Sequence, residues 1–337
     1  MTEPPSPLRM LLSRHTKRRE FISLLGGAAV WPLAARAQQP AKMACIGVLA
    51  SLPLPPLQRL SRKLRAYGYV EGQNVRFEPR FAEGRDDRYP LLATELAALP
   101  VDVIVTWGTP AAIAAKQATG TIPIVMGALA DPVSVGIVSN LARPEGNITG
   151  FATQNVDLEA KRLEVLKDLI PQLARVGILG NAANQFLEVV LNRLRATAEQ
   201  LGVALELFEV HSSDEVENAL LRLDQARPDA VLVSADTLLL TKRSEIAAAL
   251  AKSKLPAIYA FREFATAGGL IVHGANLGVL FERAAGYVDR ILKGAKPADL
   301  PIQLATEFEL IINLRAAAAI GLTIPPTFIA RADEVIE

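Results

Sequence analysis

The chain has 337 residues, half of them hydrophobic, and its 36 Lys and Arg against 35 Asp and Glu give a net charge of +1. This length suffices for two ordinary domains, and the balanced charge offers no basic surface of the kind that nucleic-acid binding requires. A single cysteine, Cys45, excludes a disulfide framework within the chain, and three widely spaced histidines argue against a histidine-based metal site. We therefore expect no nucleic-acid partner and no bound metal.

The first 37 residues have the layout of an export signal. A basic cluster at 17–19 precedes an apolar run over 21–33, and a small-x-small triplet at 35–37 suits a signal peptidase. The run is shorter than the roughly 20 residues that a membrane span needs. We therefore expect a signal peptide with a disordered extension, cleaved after Sec or twin-arginine export, and a periplasmic protein. Removal of residues 1–37 would leave 30 basic and 33 acidic side chains, a net charge of −3.

Short apolar runs alternate with helical patterns along the first half of the remaining chain. The predicted strands are 44–49, 75–81, 101–106, 122–126 and 147–151. The predicted helices are 56–67, 88–99, 110–118 and a short one at 133–141. Strands that are apolar along their length and alternate with helices indicate parallel sheets covered on both faces.

The same rhythm repeats in the second half. The predicted strands are 175–179, 203–210, 230–234, 256–261, 270–273 and 308–312. The predicted helices are 158–170, 184–201, 213–226, 239–252, 277–292 and 314–320. These strands are too many for one compact sheet, so the sequence predicts an α/β protein of two lobes, divided near Gly150.

Catalytic and cofactor motifs are missing from the sequence. It contains no G-x-G-x-x-G after the first strand, no phosphate-binding G-x-x-x-x-G-K-[ST] and no G-x-S-x-G nucleophile turn. We therefore predict no cofactor and no enzyme activity. A secreted α/β enzyme stays open as an alternative that would need a reactive constellation of another kind.

Polar residues follow several predicted strands, at the edge where open α/β sheets bind their ligands. Gly108-Thr109 precedes a helix and offers backbone N–H groups to an anion such as a carboxylate. Asp236, after another strand, carries a carboxylate that can pair with a ligand ammonium. Helix capping is an alternative role for Thr109, Asp131, Asn184 and Asp236 alike.

Segments along the whole chain, the expected signal included, carry a family resemblance. Among them are GYVEGQNV (68–75), GTPAAIAAK (108–116), DPVSVGIVSNLARPEGNITG (131–150), LEAKRLEVLKDLIP (158–171) and TEFELIINLRAAAAIGLTIPP (306–326). With them the chain resembles the ABC transporter substrate-binding proteins, in particular the family that contains tryptophan- and tyrosine-binding lipoproteins. The resemblance extends over essentially the whole chain. One departure is the short, Pro-rich loop at 51–56, where the family usually has a longer, Ser-rich loop.

The resemblance implies a type I periplasmic-binding-protein fold, with two Rossmann-like lobes, a hinge of three crossovers and a ligand in the cleft. Lobe one would be 42–150 plus 277–306, and lobe two 151–276 plus 307–337. It further implies a monomer that carries a small ligand to an inner-membrane ABC permease. A sensory ligand-binding module for a membrane receptor would have the same fold and stays an alternative.

Seven residues are expected in the cleft: Ser51, Thr109, Asp131, Asn184, Asp236, Tyr259 and Glu263. Thr109 and its neighbours would hold a carboxylate, and Asp236 an ammonium group. This set predicts an amino acid or a related small carboxylate as the ligand.

Overall fold

A computed structural model of the protein describes residues 43–337. The expected export signal lies outside the described residues. Thirteen strands are described: β1 (Ala44–Ala50), β2 (Val75–Phe81), β3 (Val103–Trp107), β4 (Ile124–Leu129), β5 (Ile148–Ala152), β6 (Arg175–Asn181), β7 (Ala204–Val210), β8 (Ala230–Val233), β9 (Ala257–Tyr259), β10 (Ile271–Ala275), β11 (Gln303–Leu304), β12 (Phe308–Asn313) and β13 (Glu334–Ile336).

Twelve α-helices connect or flank these strands. They are α1 (Pro55–Ala66), α2 (Tyr89–Ala98), α3 (Thr109–Ala118), α4 (Asn155–Leu169), α5 (Phe186–Leu201), α6 (Val216–Ala226), α7 (Thr237–Thr241), α8 (Arg243–Lys252), α9 (Arg262–Thr266), α10 (Leu277–Leu292), α11 (Leu314–Ile320) and α12 (Pro326–Ile329). Within residues 43–337, none of the helices combines the length and the apolarity that a membrane crossing requires.

The strands form two sheets, each the centre of one lobe. The sheet of lobe one has the order β11-β5-β4-β3-β1-β2, and all its pairs are parallel. The sheet of lobe two has the order β13-β12-β10-β9-β8-β6-β7. The chain passes between the sheets three times, after β5, after β10 and after β11. The predicted fold class, two α/β lobes joined by three crossovers, is confirmed.

The central strands are buried on both faces, which explains why they are apolar along their whole length. Every residue of β1, β3, β4 and β8 is buried. Helix α10 follows a strand of lobe two but packs against α1 and β4 of lobe one. The Tyr287 hydroxyl of α10 donates a hydrogen bond to the Pro301 carbonyl, 2.6 Å away, beside the third crossover.

Three expectations about secondary structure are wrong. Residues 133–141 form turns rather than a helix, because Asp131 accepts hydrogen bonds from the Val133 and Ser134 N–H groups and Gly136 adopts a φ of +69°. The helix expected at 239–252 is divided into α7 and α8 by a non-helical Lys242. The sheet of lobe two is parallel except at β10–β12, because β12 enters from the opposite direction after the third crossover.

Candidate functional site

The carboxyl ends of strands from both lobes meet around a small buried cavity. Its volume is about 30 Å³, which is the size of a water molecule. Lobe one contributes residues that follow β3 and β4, and lobe two contributes residues that follow β6, β8 and β9. The lining residues are Trp107, Gly108, Thr109, Ala128, Leu129, Ala130, Thr153, Asn184, Ala235, Asp236, Thr237, Phe261 and Leu277.

Asp236 is the one charged side chain among the described residues that line this cavity. It precedes α7 and is 5% exposed. Its Oδ1 accepts hydrogen bonds from the Leu238 N–H, at 2.7 Å, and from Asn181 Nδ2, at 3.2 Å. Its Oδ2 accepts one from Asn184 Nδ2, at 2.7 Å. Burial raises the pKa of Asp236, and these hydrogen bonds partly oppose that shift by stabilising the carboxylate.

A buried ion pair fixes the loop that carries Asp236. Glu159 and Arg162 of α4 have no exposed side-chain surface, and Arg162 Nη1 lies 2.9 Å from Glu159 Oε1. The same Oε1 accepts a hydrogen bond from the Ala235 N–H, at 2.7 Å. Arg162 Nε donates to the His273 carbonyl, at 2.7 Å. The pair therefore connects α4, β10 and the loop after β8, which carries Asp236.

The facing side of lobe one is mainly backbone. Gly108 has a φ of +91° and a ψ of 156°, which side chains other than glycine rarely allow, and it brings the chain close to Thr237 of lobe two. A Cβ added at Gly108 would lie 3.1 Å from the Thr237 Cγ2. Thr109 begins α3 and is 3% exposed. The start of α3, which carries the positive end of the helix dipole, therefore borders the same cavity as Asp236.

Aromatic rings from both lobes form the apolar wall. Trp107, at the end of β3, contacts Phe261 of lobe two edge-on, with ring centroids 6.5 Å apart. It also packs edge-on against Phe281 of α10, at 5.4 Å. All three rings are buried. Trp107 is therefore the side chain that would report most directly on a change between the lobes.

A direct hydrogen bond joins the lobes at Asp86, a residue that the sequence analysis missed. Asp86 begins a single 3₁₀ turn (Asp86–Arg88) after β2, and its Oδ2 accepts from Asn181 Nδ2 at 2.9 Å. Burial and the nearby charge of Asp236 raise the pKa of Asp86 to about 6. The position of Asp86 after a strand could have indicated it, because β2 is a neighbour of β1 and the carboxyl end of β2 lies at the same edge of the sheet.

An interlobe groove of about 670 Å³ adjoins this bond. Asp86 and Tyr89 line it from lobe one, and Asn184 and His211 line it from lobe two. Pockets of this size hold small organic molecules. The groove therefore gives solvent a route to the residues around the cavity. Among residues 43–337, no group of three or more His, Cys, Asp or Glu side chains is placed to hold a metal ion.

Four of the seven expected residues lie at the lobe boundary. Thr109, Asn184 and Asp236 line the cavity. Ser51 is buried at the end of β1, where its Oγ accepts a hydrogen bond from the Gly84 N–H at 3.1 Å. Asp131 follows β4 but uses its carboxylate within its own turn, on Val133 and Ser134.

The structure does not bring Tyr259 and Glu263 to the cavity. Tyr259 is 1% exposed and stacks on Phe264 in the core of lobe two, with ring centroids 4.4 Å apart. Phe261, two residues further on, takes the cavity position. Glu263 lines a different crevice beside Arg59 and Arg262, and burial raises its pKa.

Two lobes of parallel α/β structure, with polar strand ends facing each other across a crevice, define a type I periplasmic-binding-protein fold. A family model for the ABC transporter substrate binding protein matches residues 57–336. The chain therefore belongs to this family.

Known proteins support the same assignment. The tyrosine-binding protein of Clostridioides difficile is 26% identical over 273 residues, which are 80% of this chain and 78% of that protein. A solved ABC domain from Streptococcus pneumoniae in complex with L-Trp has a TM-score of 0.80 and 28% identity, covering 87% of this chain and 99% of that one. A ligand-free, open substrate binding protein with adhesive properties from Clostridium difficile has a TM-score of 0.60 and 25% identity over the same shares.

Proposed function

We propose that this protein binds an amino acid between its lobes and delivers it to an inner-membrane ABC permease. The observation that carries the proposal is the buried Asp236, held by two asparagine amides and lining the same cavity as Thr109 at the start of α3. An α-amino acid carries an ammonium and a carboxylate on one carbon. The site offers a partner for each.

The two polar groups of the ligand have distinct places in this proposal. Asp236 binds the ammonium in a charge-assisted hydrogen bond, with Asn184 beside it. The Thr109 N–H, at the start of α3, binds the carboxylate, as helix N-termini do. The Gly108 N–H is not available for this, because it donates to the Ala128 carbonyl, at 3.1 Å. Ser51 supports the lobe-one side of the site through its bond to Gly84. Tyr259 and Glu263 are left out of the proposed ligand contacts.

Trp107 and Phe261 favour an aromatic side chain on the ligand. They form an apolar wall that spans both lobes, and ligand pockets commonly combine such walls with a few convergent polar groups. The names of the Clostridioides and Streptococcus relatives, which report tyrosine and L-Trp, support the same class. The proposed ligand is therefore tyrosine, tryptophan or a similar amino acid.

Binding requires the lobes to move. A cavity of about 30 Å³ cannot hold an amino acid, so the lobes must part at the hinge and close again around the ligand. The TM-score of 0.80 with the L-Trp complex, against 0.60 with the ligand-free open structure, supports the view that the described arrangement is the closed one. Family membership supports a non-enzymatic periplasmic protein with a permease as its partner. The proposal also includes a monomeric state.

A thermal-shift screen of the purified protein against the amino acids tests this function. A ligand that binds only the folded state raises the melting temperature, and we expect L-tyrosine or L-tryptophan to do so. Asp236→Ala should weaken the affinity by about ten- to a hundredfold, the usual worth of a hydrogen bond to a charged group. Asp229→Ala is the matched control, since Asp229 also accepts backbone N–H bonds in lobe two but at the opposite end of the sheet. No shift with any amino acid would contradict the proposal.

A further inference from the structure

Two carboxylates from different lobes lie close together at the site. Asn181 Nδ2 donates to Asp86 Oδ2 at 2.9 Å and to Asp236 Oδ1 at 3.2 Å. The two carboxylate oxygens bonded to that nitrogen are therefore at most 6.1 Å apart, the sum of the two distances. Asp86 belongs to lobe one and Asp236 to lobe two, so any group between them would contact both lobes.

Hydrogen-bonding capacity at this place is unused. Asp86 Oδ1 is buried and makes no hydrogen bond within residues 43–337. Tyr89 adjoins this place on a side chain that is 1% exposed, and its hydroxyl lies near Thr237 and Ser51. The negative charges of Asp86 and Asp236 help to raise the pKa of Tyr89. Unsatisfied buried polar groups are costly, so this arrangement suits an additional group that donates hydrogen bonds.

The charge at this place is equally unbalanced. Neither Asp86 nor Asp236 has an ion-pair partner among residues 43–337, although seventeen other ion pairs are described there. A cation would relieve the repulsion between the two carboxylates. A primary ammonium fits both requirements, because it carries a positive charge and three hydrogen-bond donors on a compact group.

We propose that Asp86 is a second ligand-binding carboxylate, which holds the ligand's ammonium jointly with Asp236 and selects ligands that carry a primary amine. This inference rests on the proposed amino-acid binding and narrows its ligand class. The ammonium is the required group, and the ligand carboxylate contributes affinity without being essential. An acid without the amine would place a negative charge beside two carboxylates and is excluded.

Three related compounds separate these contributions: L-tyrosine, tyramine, which lacks the carboxylate, and 3-(4-hydroxyphenyl)propanoate, which lacks the amine. Calorimetric titration of the purified protein should show binding of L-tyrosine, weaker but measurable binding of tyramine, and no binding of the propanoate. Asp86→Asn should weaken the affinity for both amines by about ten- to a hundredfold, as expected for loss of a charge-assisted hydrogen bond.

Asp87→Asn is the matched control, because Asp87 is the exposed neighbour of Asp86 and pairs with Arg85. It should leave both affinities unchanged. Asp86→Ala repeats the test with a smaller side chain, and the melting temperature of each variant checks that it is folded. Unchanged amine affinity in folded Asp86→Asn and Asp86→Ala, with loss in Asp236→Ala, would overturn this inference and leave the proposed function standing. Binding of the propanoate as tight as that of L-tyrosine would also overturn it. Failure of the wild-type protein to bind any amino acid would overturn both.

Discussion

The two sides of the cavity are built differently. On the lobe-two side, both oxygens of Asp236 accept hydrogen bonds, and the loop that carries it is fixed by the buried Glu159. On the lobe-one side, Asp86 lines the adjoining groove, and its buried Oδ1 has no hydrogen-bond partner among residues 43–337. The Asp236 carboxylate of lobe two is therefore fixed at both oxygens. The Asp86 carboxylate of lobe one has one oxygen that can still accept a hydrogen bond from a ligand.

The largest expected effect comes from breaking the buried ion pair of Glu159 and Arg162 in lobe two. Arg162→Met should lower the free energy of unfolding by about 3–5 kcal/mol, because it leaves Glu159 as an uncompensated buried charge. Urea denaturation measures this. Arg193→Met is the control, since Arg193 pairs with Asp157 of the same helix α4 at the surface, and an exposed pair is worth at most about 1 kcal/mol. An equal decrease in the free energy of unfolding in the two variants would show that the buried pair does not stabilise lobe two.

A smaller effect is expected where lobe one approaches lobe two. Gly108→Ala places a Cβ 3.1 Å from Thr237 and forces a side chain onto a backbone with a φ of +91°. The strain alone costs about 1–3 kcal/mol, and the contact should additionally lower the affinity for L-tyrosine by hindering closure. Gly72→Ala has a similar φ of +79° with no atom within 4 Å, so it should lose stability and keep its affinity. Unchanged affinity in both variants would contradict the close approach of the lobes at Gly108.

The smallest expected effect is a pH dependence that originates in lobe one. An ammonium stabilises the ionised form of Asp86, whose pKa of about 6 should fall on binding. The affinity for L-tyrosine should therefore be roughly tenfold lower at pH 5 than at pH 7, as calorimetric titration would show. Other titratable and charged groups surround Asp86. Asp236 lies on the other side of the Asn181 amide, and Asp87 and Tyr89 are close to Asp86. The adjoining groove is lined by Arg85, His211 and Asp214.

Asp86→Asn should reduce this pH dependence and leave the part that comes from Asp236, whose pKa burial also raises. In the absence of ligand, the folding stability depends on pH with the opposite sign and falls as the pH rises. The reason is that a carboxyl whose pKa is raised in the folded state binds more protons there than it does in the unfolded chain. The contribution of Asp86 to folding stability is therefore full below its unfolded pKa near 4 and is lost as the pH rises through about 6. The stability difference between wild type and Asp86→Asn should follow this course. A flat difference from pH 4 to 7 would contradict a perturbed Asp86.

Periodicity and turn residues predict most of the fold. Apolar runs locate nearly all the longer strands, and the helix over Leu277–Leu292 was predicted at its described bounds. The failure at 133–141 has a local cause, since the Asp131 carboxylate bonds the N–H groups that a helix would have used. The two-residue β11 and the short β13 are too small to give a periodic pattern, and tertiary pairing alone defines them.

The site was predicted less completely, for physical reasons. The rule that ligands meet strand ends located Thr109, Asn184 and Asp236. It could not separate Tyr259 from Phe261, because both lie at the end of the same strand. Tyr259 packs in the core, whereas Phe261, two residues further on, lines the cavity. Glu159 and Arg162 appear in sequence as ordinary charges of an amphipathic helix. Only the packing of α4 shows that both are fully buried beneath Asp236.

The central claim, that the ligand binds between the lobes, is tested most directly through Trp107. The sequence has two tryptophans, and Trp31 lies in the expected signal peptide, so the protein without residues 1–37 has Trp107, packed against Phe261 of the other lobe, as its single indole. Titration of this protein with L-tyrosine should change the Trp107 emission saturably, at one ligand per chain, and Asp236→Ala should abolish the change. Calorimetric binding of L-tyrosine with no change in Trp107 emission would place the ligand elsewhere and contradict the account.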